Sequence, residues 1–246
     1  MPTKHITIPT PGTDCPAYLV SPSGVGPWPA VVFYGDAGGI RPAMLEMATR
    51  LSEAGYVVLL PDLYYRFGPY APLVPTEVFK GDVAAILGPL MATTGVDKVR
   101  KDTESFLAYL DTRSDIASAG FGAVGFCMGG GMAIAAAATY PHRFSAVASF
   151  HGGHLATDSP TSPHLLVPNL AAQVYIASAE NDDSYPPAMA ACLEDAMTRA
   201  GVRYRSEIYR DASHGWMVPD FPVYDQVSAD RGWEAMLALF SQALPS

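Results

Sequence analysis

Cys127 lies in a run of small and apolar residues whose spacing could display a nucleophile. In Gly125-Phe126-Cys127-Met128-Gly129, a glycine stands two positions before the cysteine and another two positions after it. This is the spacing of the G-x-S-x-G turn between a strand and a helix, with cysteine in place of serine. The pattern predicts a thiol that attacks substrate. The alternative is a small core residue, which is the usual role of a lone cysteine in an apolar segment.

The surrounding residues favour the nucleophile over two other readings. Glycines at those two positions remove side chains that would collide with the neighbouring strand and helix. The run lacks the Lys and Ser/Thr of a P-loop and the G-x-G-x-x-G spacing of a dinucleotide site, which argues against phosphate binding. A thiol at the start of a helix is also stabilised as the thiolate. Cys15 and Cys192 have no such context, and three cysteines without a CxxC predict neither a disulfide framework nor a zinc site.

A nucleophile of this kind needs a carboxylate and then a histidine further along the chain. His214, in YRDASHGWM after the last predicted strand, is the expected general base. His151 also follows a strand end and is the main competitor, but it precedes any suitable acid. In AENDDSYPP, Ala179–Pro187, we favour Asp182 as the acid that orients the histidine. Asp183 is an alternative, and either residue could simply belong to a turn or helix cap.

Two backbone N–H groups are the expected donors to an oxyanion. The N–H of Met128 directly follows the nucleophile, and the second donor should come from the loop after the third strand. That loop is YGDAGGIRP, and its glycine pair lets the backbone approach a substrate. Ala37 N–H is the predicted second donor.

The elements that would position these residues follow from apolar patterns. Runs rich in Val, Ile, Tyr and Phe, bounded by Gly, Pro or Asp, predict about eight strands. These runs begin near His5, Ala17, Ala30, Tyr56, Phe121, Phe144, Gln173 and Tyr204. Helical patterns lie between them over residues 42–53, 96–110, 128–139, 186–200 and 227–244. The alternation predicts an α/β fold: a mostly parallel sheet with helices on both faces, and the first two strands antiparallel at one edge.

One domain over residues 1–246 is expected, because no linker or charge block divides the chain. Tyr64 to Pro75 departs from the regular pattern, with three prolines and four aromatic residues and no periodicity. It predicts an ordered loop or small lid near residues 64–92, and the run up to Leu90 could add a short helix.

Composition excludes several classes of function. A formal net charge of −9 without any dense basic run argues against nucleic-acid binding. The N-terminal residues lack the apolar core of a signal peptide, and no run approaches 18 apolar residues, so we expect a cytoplasmic protein without a membrane partner. The expected partner is a small-molecule substrate. The chemistry outlined here requires neither a cofactor nor a metal.

Taken together, these motifs resemble the dienelactone hydrolase family of the α/β-hydrolase fold. The resemblance runs from about Ala17 to Phe240 and is carried by GFCMGG, AENDDSYPP, DASHGWMVP and GYVVLLPDLYYR. It implies a Cys-His-Asp triad that acts on esters and lactones. It also implies a carboxylate after the third strand that contacts the thiol. The matching position here is Asp36, which could instead be a turn residue.

The founding enzymes of that family bind a dienelactone carboxylate through arginines. One arginine lies four residues after the catalytic histidine, where this chain has Val218. Recognition of dienelactone itself is therefore not implied. Arg66 is the obvious substitute for substrate binding, or else a residue of an ion pair. Tyr65, Tyr185 and Trp216 are candidates for an aromatic pocket wall, or else for packing.

The sequence thus predicts a hydrolase that cleaves an ester or lactone by acyl transfer to water. One alternative is a binding or redox protein on the same fold, whose cysteine does not turn over. The order Cys, Asp, His argues against it, because a binder does not need an orienting acid. A dehalogenase or thioesterase on this scaffold is another alternative.

Overall fold

Eight strands form a single sheet in a computed structural model that describes residues 2–117 and 119–244. They are β1 (Thr3–Ile8), β2 (Cys15–Val20), β3 (Ala30–Tyr34), β4 (Val57–Pro61), β5 (Phe121–Phe126), β6 (Phe144–Phe150), β7 (Gln173–Asn181) and β8 (Tyr204–Ser213). Their order across the sheet is β1-β2-β4-β3-β5-β6-β7-β8. β2 pairs antiparallel with both β1 and β4, and all other neighbours are parallel. The predicted eight-stranded, mostly parallel sheet is confirmed.

Helices cover both faces of this sheet. Within the described ranges they are α1 (Pro42–Glu53), α2 (Pro75–Val78), α3 (Val83–Met91), α4 (Val96–Asp111), α5 (Met128–Thr139), α6 (Pro187–Arg199) and α7 (Gln226–Ala243), with a 3₁₀ helix at Pro163–Asn169. α1 and α7 pack in the core on one face, and α4, α5 and α6 pack in the core on the other. None of the helices in this part of the chain is long and apolar enough to cross a bilayer.

α1 illustrates how local sequence sets these elements. It begins at Pro42, a position where the missing N–H of proline costs no hydrogen bond. Its buried residues include Met44, Met47 and Leu51, whose spacing of three and four puts them on one face. The helix ends just before Gly55, whose φ of 101° favours glycine.

The backbone is closely packed at the turn between β5 and α5, near the centre of the sheet. A Cβ atom on Gly125 would collide with the backbone of Gly129. A Cβ atom on Gly129 would collide with the backbone carbonyls of Tyr34 and Gly35. Glycine at both positions therefore lets the strand, the helix and the end of β3 come into backbone contact.

Residues 64–91 contain the irregular loop anticipated from the sequence, followed by α2 and α3. α3 has the sequence VAAILGPLM, and of its nine residues only Leu90 is buried. It is capped by Asp82, whose side chain accepts a hydrogen bond from Ala85 N–H. That this segment is a lid on a one-domain chain stays a prediction.

Substituting Gly125 or Gly129 by alanine should lower the free energy of unfolding by at least about 2 kcal/mol, because backbone atoms cannot move aside as side chains do. The measurement is urea denaturation of each variant. Gly88→Ala is the matched control, since a Cβ at Gly88 in α3 meets no atom within 4 Å. Equal stability of Gly125→Ala and Gly88→Ala would contradict the close approach.

Candidate active site

The ends of four parallel strands bring the predicted site residues to one edge of the sheet. Cys127 directly follows β5, Asp182 follows β7 and His214 follows β8, while Ala37 lies in the loop after β3. The last paired residues of β7 and β8 are Asn181 and Ser213. The acid and the histidine therefore start from neighbouring positions, although 32 residues separate them in the chain. Ligand sites of α/β sheets occur at this carboxyl edge.

A continuous hydrogen-bond chain joins the three side chains. Cys127 Sγ lies 3.1 Å from His214 Nε2. The other ring nitrogen, Nδ1, lies 2.7 Å from Asp182 Oδ2. Because the carboxylate accepts a hydrogen bond from Nδ1–H, Nε2 faces the sulfur. A thiol, an imidazole and a carboxylate in this order can transfer a proton away from sulfur.

Asp182, rather than Asp183, contacts the histidine. The Asp182 side chain is only 1% exposed, whereas Asp183 is exposed to solvent. Ser184, which sequence reasoning missed, donates to Asp182 Oδ1 from both its hydroxyl (2.6 Å) and its backbone N–H (2.9 Å). A serine two residues after an aspartate is a common turn partner, and this is the signal that could have identified it.

The electrostatic environment of His214 and Asp182 favours the charged form of the histidine. Burial alone would lower the pKa of His214, but hydrogen bonds to Asp182 and Cys127 raise it to about 10. Burial would raise the pKa of Asp182, but hydrogen bonds from His214 and Ser184 hold it below its ordinary value. Asp182 is therefore a carboxylate, and His214 is an imidazolium at neutral pH.

His151, the competing histidine, has a different environment. It is completely buried, and this burial, together with the charge of His214, lowers its pKa well below the ordinary value. Its Nδ1 accepts a hydrogen bond from Cys127 N–H at 3.2 Å. His151 is therefore neutral with its proton on Nε2, and it holds the backbone of Cys127 instead of facing the sulfur.

Both predicted oxyanion donors belong to residues that line the cavity described below. Met128 N–H is in the first turn of α5, where backbone N–H groups have no acceptor within the helix. The carbonyl of Ala37 accepts a hydrogen bond of 3.0 Å from the hydroxyl of Tyr64. Tyr64 also lies 3.6 Å from Met128 Sδ, so this buried residue, missed by sequence reasoning, contacts both sides of the predicted oxyanion site.

Asp36 does not make the predicted contact with the thiol. Its oxygens lie 2.7 and 2.9 Å from the two terminal nitrogens of Arg41, and Oδ1 also accepts a hydrogen bond from Gly38 N–H. Arg41 in turn makes two hydrogen bonds to Asp220, at 2.7 and 2.9 Å. The prediction was wrong because a buried arginine takes both carboxylate oxygens.

Arg66 is likewise engaged elsewhere and does not line the cavity. Its two terminal nitrogens bind Asp102 at 2.6 and 2.7 Å, and its guanidinium lies over the ring of Tyr65. Tyr65 hydrogen bonds through its hydroxyl to Asp102 and Thr10. Both residues thus form a structural ion-pair cluster instead of a substrate-binding site.

Tyr185 and Trp216 are core residues rather than a pocket wall. Trp216 is fully buried and stacks on Tyr209, with 4.2 Å between the ring centroids. Tyr185 is 4% exposed and packs in the core on the opposite face of the sheet. The aromatic residues that do line the cavity are Phe79 and Phe221.

A cavity of about 440 Å³ opens beside the hydrogen-bond chain and is lined by Cys127, Met128, Ser184 and His214, among others. This volume lies within the range of small-molecule sites. In the ranges 2–117 and 119–244, no group of three or more His, Cys, Asp or Glu side chains is arranged to hold a metal ion.

Known proteins resemble this chain over nearly its full length. An Escherichia coli K12 protein, provisionally named a carboxymethylenebutenolidase, is 29% identical across 96% of this chain and 85% of its own length. A Synechocystis protein with the same provisional name is 26% identical, covering 98% and 97%. A crystal structure from Klebsiella pneumoniae, described provisionally as a dienelactone hydrolase, matches with a TM-score of 0.86 at 25% identity and covers 98% of both chains.

The family is identified by comparing the chain with sequence models of protein families. The sequence model of the dienelactone hydrolase family matches residues 15–244, which include every strand after β1 and every helix described above. The chain therefore belongs to the dienelactone hydrolase family, and it is an enzyme of the hydrolase class.

Proposed function

We propose that this enzyme hydrolyses carboxylic esters, including lactones, with Cys127 as nucleophile, His214 as acid and base, and Asp182 as the group that orients the histidine. The observation that carries the proposal is the unbroken chain from sulfur to carboxylate, with contacts of 3.1 and 2.7 Å. Cys127 and His214 both border the 440 Å³ cavity, where a substrate carbonyl would reach the sulfur.

In the first half of the reaction, the proton between Cys127 Sγ and His214 Nε2 lies on Nε2, so the sulfur starts as a thiolate. The thiolate attacks the ester carbonyl carbon and forms a C–S bond, and the carbonyl electron pair moves onto oxygen. The N–H groups of Ala37 and Met128 would stabilise this oxyanion. When the intermediate collapses, the C–O bond to the leaving group breaks, and His214 gives its proton to the departing alkoxide. The product is a thioester on Cys127.

In the second half, neutral His214 takes a proton from a water molecule, whose oxygen attacks the thioester carbon. A second oxyanion forms at the same N–H groups and collapses with release of the Cys127 thiolate and the carboxylic acid. Asp182 remains ionised throughout and stabilises the imidazolium form. Asp36 has no step in this scheme, because Arg41 takes both of its oxygens.

Replacing Cys127 by alanine should lower kcat/KM for p-nitrophenyl acetate and for a panel of lactones by at least about 10³-fold. Cys192→Ala is the matched control: Cys192 is exposed and does not line the cavity, so its removal should leave the rate unchanged. Equal rates in wild type and Cys127→Ala would remove the nucleophile from the proposal. A single burst of one nitrophenolate per chain without turnover would support the binding-protein alternative.

NMR of the imidazole nitrogens should place the titration of His214 near pH 10 in the wild type. A raised pKa means that the ring stays protonated below that pH. Asp182→Asn removes the carboxylate that favours the cation, so the ring should lose its proton at lower pH. Asp183→Asn removes the same charge from the exposed neighbour and should leave the titration in place. An unchanged titration in Asp182→Asn would show that the carboxylate does not set the charge of His214.

A further inference from the structure

The cavity beside Cys127 is lined almost entirely by uncharged groups. Of its described lining residues, the ionisable ones are Cys127, His214 and His154, and none is Lys, Arg, Asp or Glu. The apolar side chains of the lining include Leu73, Val78, Phe79, Leu87, Met91 and Met132. Apart from Thr94, His154 and the active-site groups Cys127, Ser184 and His214, the side chains that a substrate meets here are therefore hydrocarbon or thioether.

Nearby arginines are not free to bind a substrate carboxylate. Arg41 is 2% exposed and binds two carboxylates, those of Asp36 and Asp220. Arg66 binds Asp102 through both terminal nitrogens. Neither arginine lines the cavity. Releasing either one would leave a buried or half-buried carboxylate without its partner, which is strongly unfavourable.

The apolar lining continues onto the outer surface of the protein through α2 and α3. Phe79 and Met91 both line the cavity and are 50% and 45% exposed. Val83 and Ile86 of α3 are also exposed, at 38% and 37%. A substrate group too long for the cavity would thus remain against hydrocarbon as it leaves the protein.

We infer that the site selects uncharged esters with a long apolar acyl or alcohol group, and that α3 forms the part of the cavity wall that contacts this group. The inference rests on the proposed ester hydrolysis at Cys127 and names its substrate class. Each methylene that moves from water into the lining should raise kcat/KM by about 2- to 4-fold. A carboxylate at the same depth would lose its hydration without gaining a partner, which should lower kcat/KM by at least about 100-fold.

The decisive pair of substrates is p-nitrophenyl heptanoate and mono-p-nitrophenyl adipate. The two esters have nearly the same length and the same leaving group. They differ only at the far end of the acyl group, which is an ethyl group in the heptanoate and a carboxylate in the adipate. Rates measured with Cys127→Ala are subtracted to remove uncatalysed hydrolysis. We expect the heptanoate ester to be favoured by at least about 100-fold in kcat/KM, and rates to rise from acetate through butyrate to heptanoate. Equal values for the pair, or a preference for adipate, would overturn the inference.

A cation placed on α3 should reverse this preference in part. Met91→Arg should raise kcat/KM for the adipate ester by at least about 10-fold and lower it for the heptanoate ester. Val227→Arg is the matched control, because Val227 is 80% exposed on α7 and does not line the cavity. If both arginine variants change the ratio equally, long-range charge rather than α3 sets the selectivity, and the assignment of α3 is wrong.

Binding to Cys127→Ala separates the failure of this inference from the failure of the proposed reaction. Isothermal titration calorimetry with the two esters reports affinity without requiring turnover. Tighter binding of the heptanoate ester, with no Cys127-dependent hydrolysis in the wild type, would retain the apolar selectivity and overturn the reaction. Cys127-dependent hydrolysis of both esters with equal affinity would retain the reaction and overturn the selectivity.

Discussion

Backbone packs directly against backbone where β5 turns into α5, because Gly125 and Gly129 carry no side chains. This contact holds Cys127 at a φ of 55°, a conformation that costs a residue with a side chain about 1 to 3 kcal/mol. Hydrogen bonds from Cys127 N–H to Phe150 O and to His151 Nδ1 help to offset that cost. The strained turn lets a residue at the start of a helix present its sulfur to the cavity, and the rest of the site is arranged around that position.

Two histidines with opposite charge preferences contact this cysteine, His214 at the sulfur and His151 at the backbone N–H. Their ring centroids are only 5.4 Å apart, so both cannot be cations at low cost. His214 has the carboxylate of Asp182 beside Nδ1 and favours the charged form. His151 is enclosed by protein and accepts a hydrogen bond, so it favours the neutral form. Environment alone therefore distinguishes the histidine that faces the sulfur from the one that supports the backbone.

Local pattern was sufficient for the strands and for the five longest helices, but not for α2, the 3₁₀ helix or the roles of distant charges. Apolar runs and Gly or Pro boundaries marked all eight strands, and chain order favoured His214 over His151 but left Asp182 and Asp183 as alternatives. Arg66 and Asp36 were misassigned because their roles depend on Asp102 and Arg41, and a sequence does not show which of many charged residues will meet. Arg41 also binds Asp220, which lies 179 residues further along the chain. Packing partners of this kind follow only from the folded sheet.

The pairing of Arg41 with Asp36 and Asp220 has a consequence for how a molecule reaches the sulfur. Asp36 belongs to the loop after β3 and Asp220 to the segment after β8, so the arginine ties two edges of the cavity together. Separating them would leave buried charges unpaired, at a cost of about 3 to 5 kcal/mol. Among the described residues, no ion pair joins α2 or α3 to these two edges, and the side chains of Phe79 and Met91 are 50% and 45% exposed. Under the proposed function, substrate and product would pass by that side with the least rearrangement, so α3 would border the route to Cys127 as well as the cavity itself.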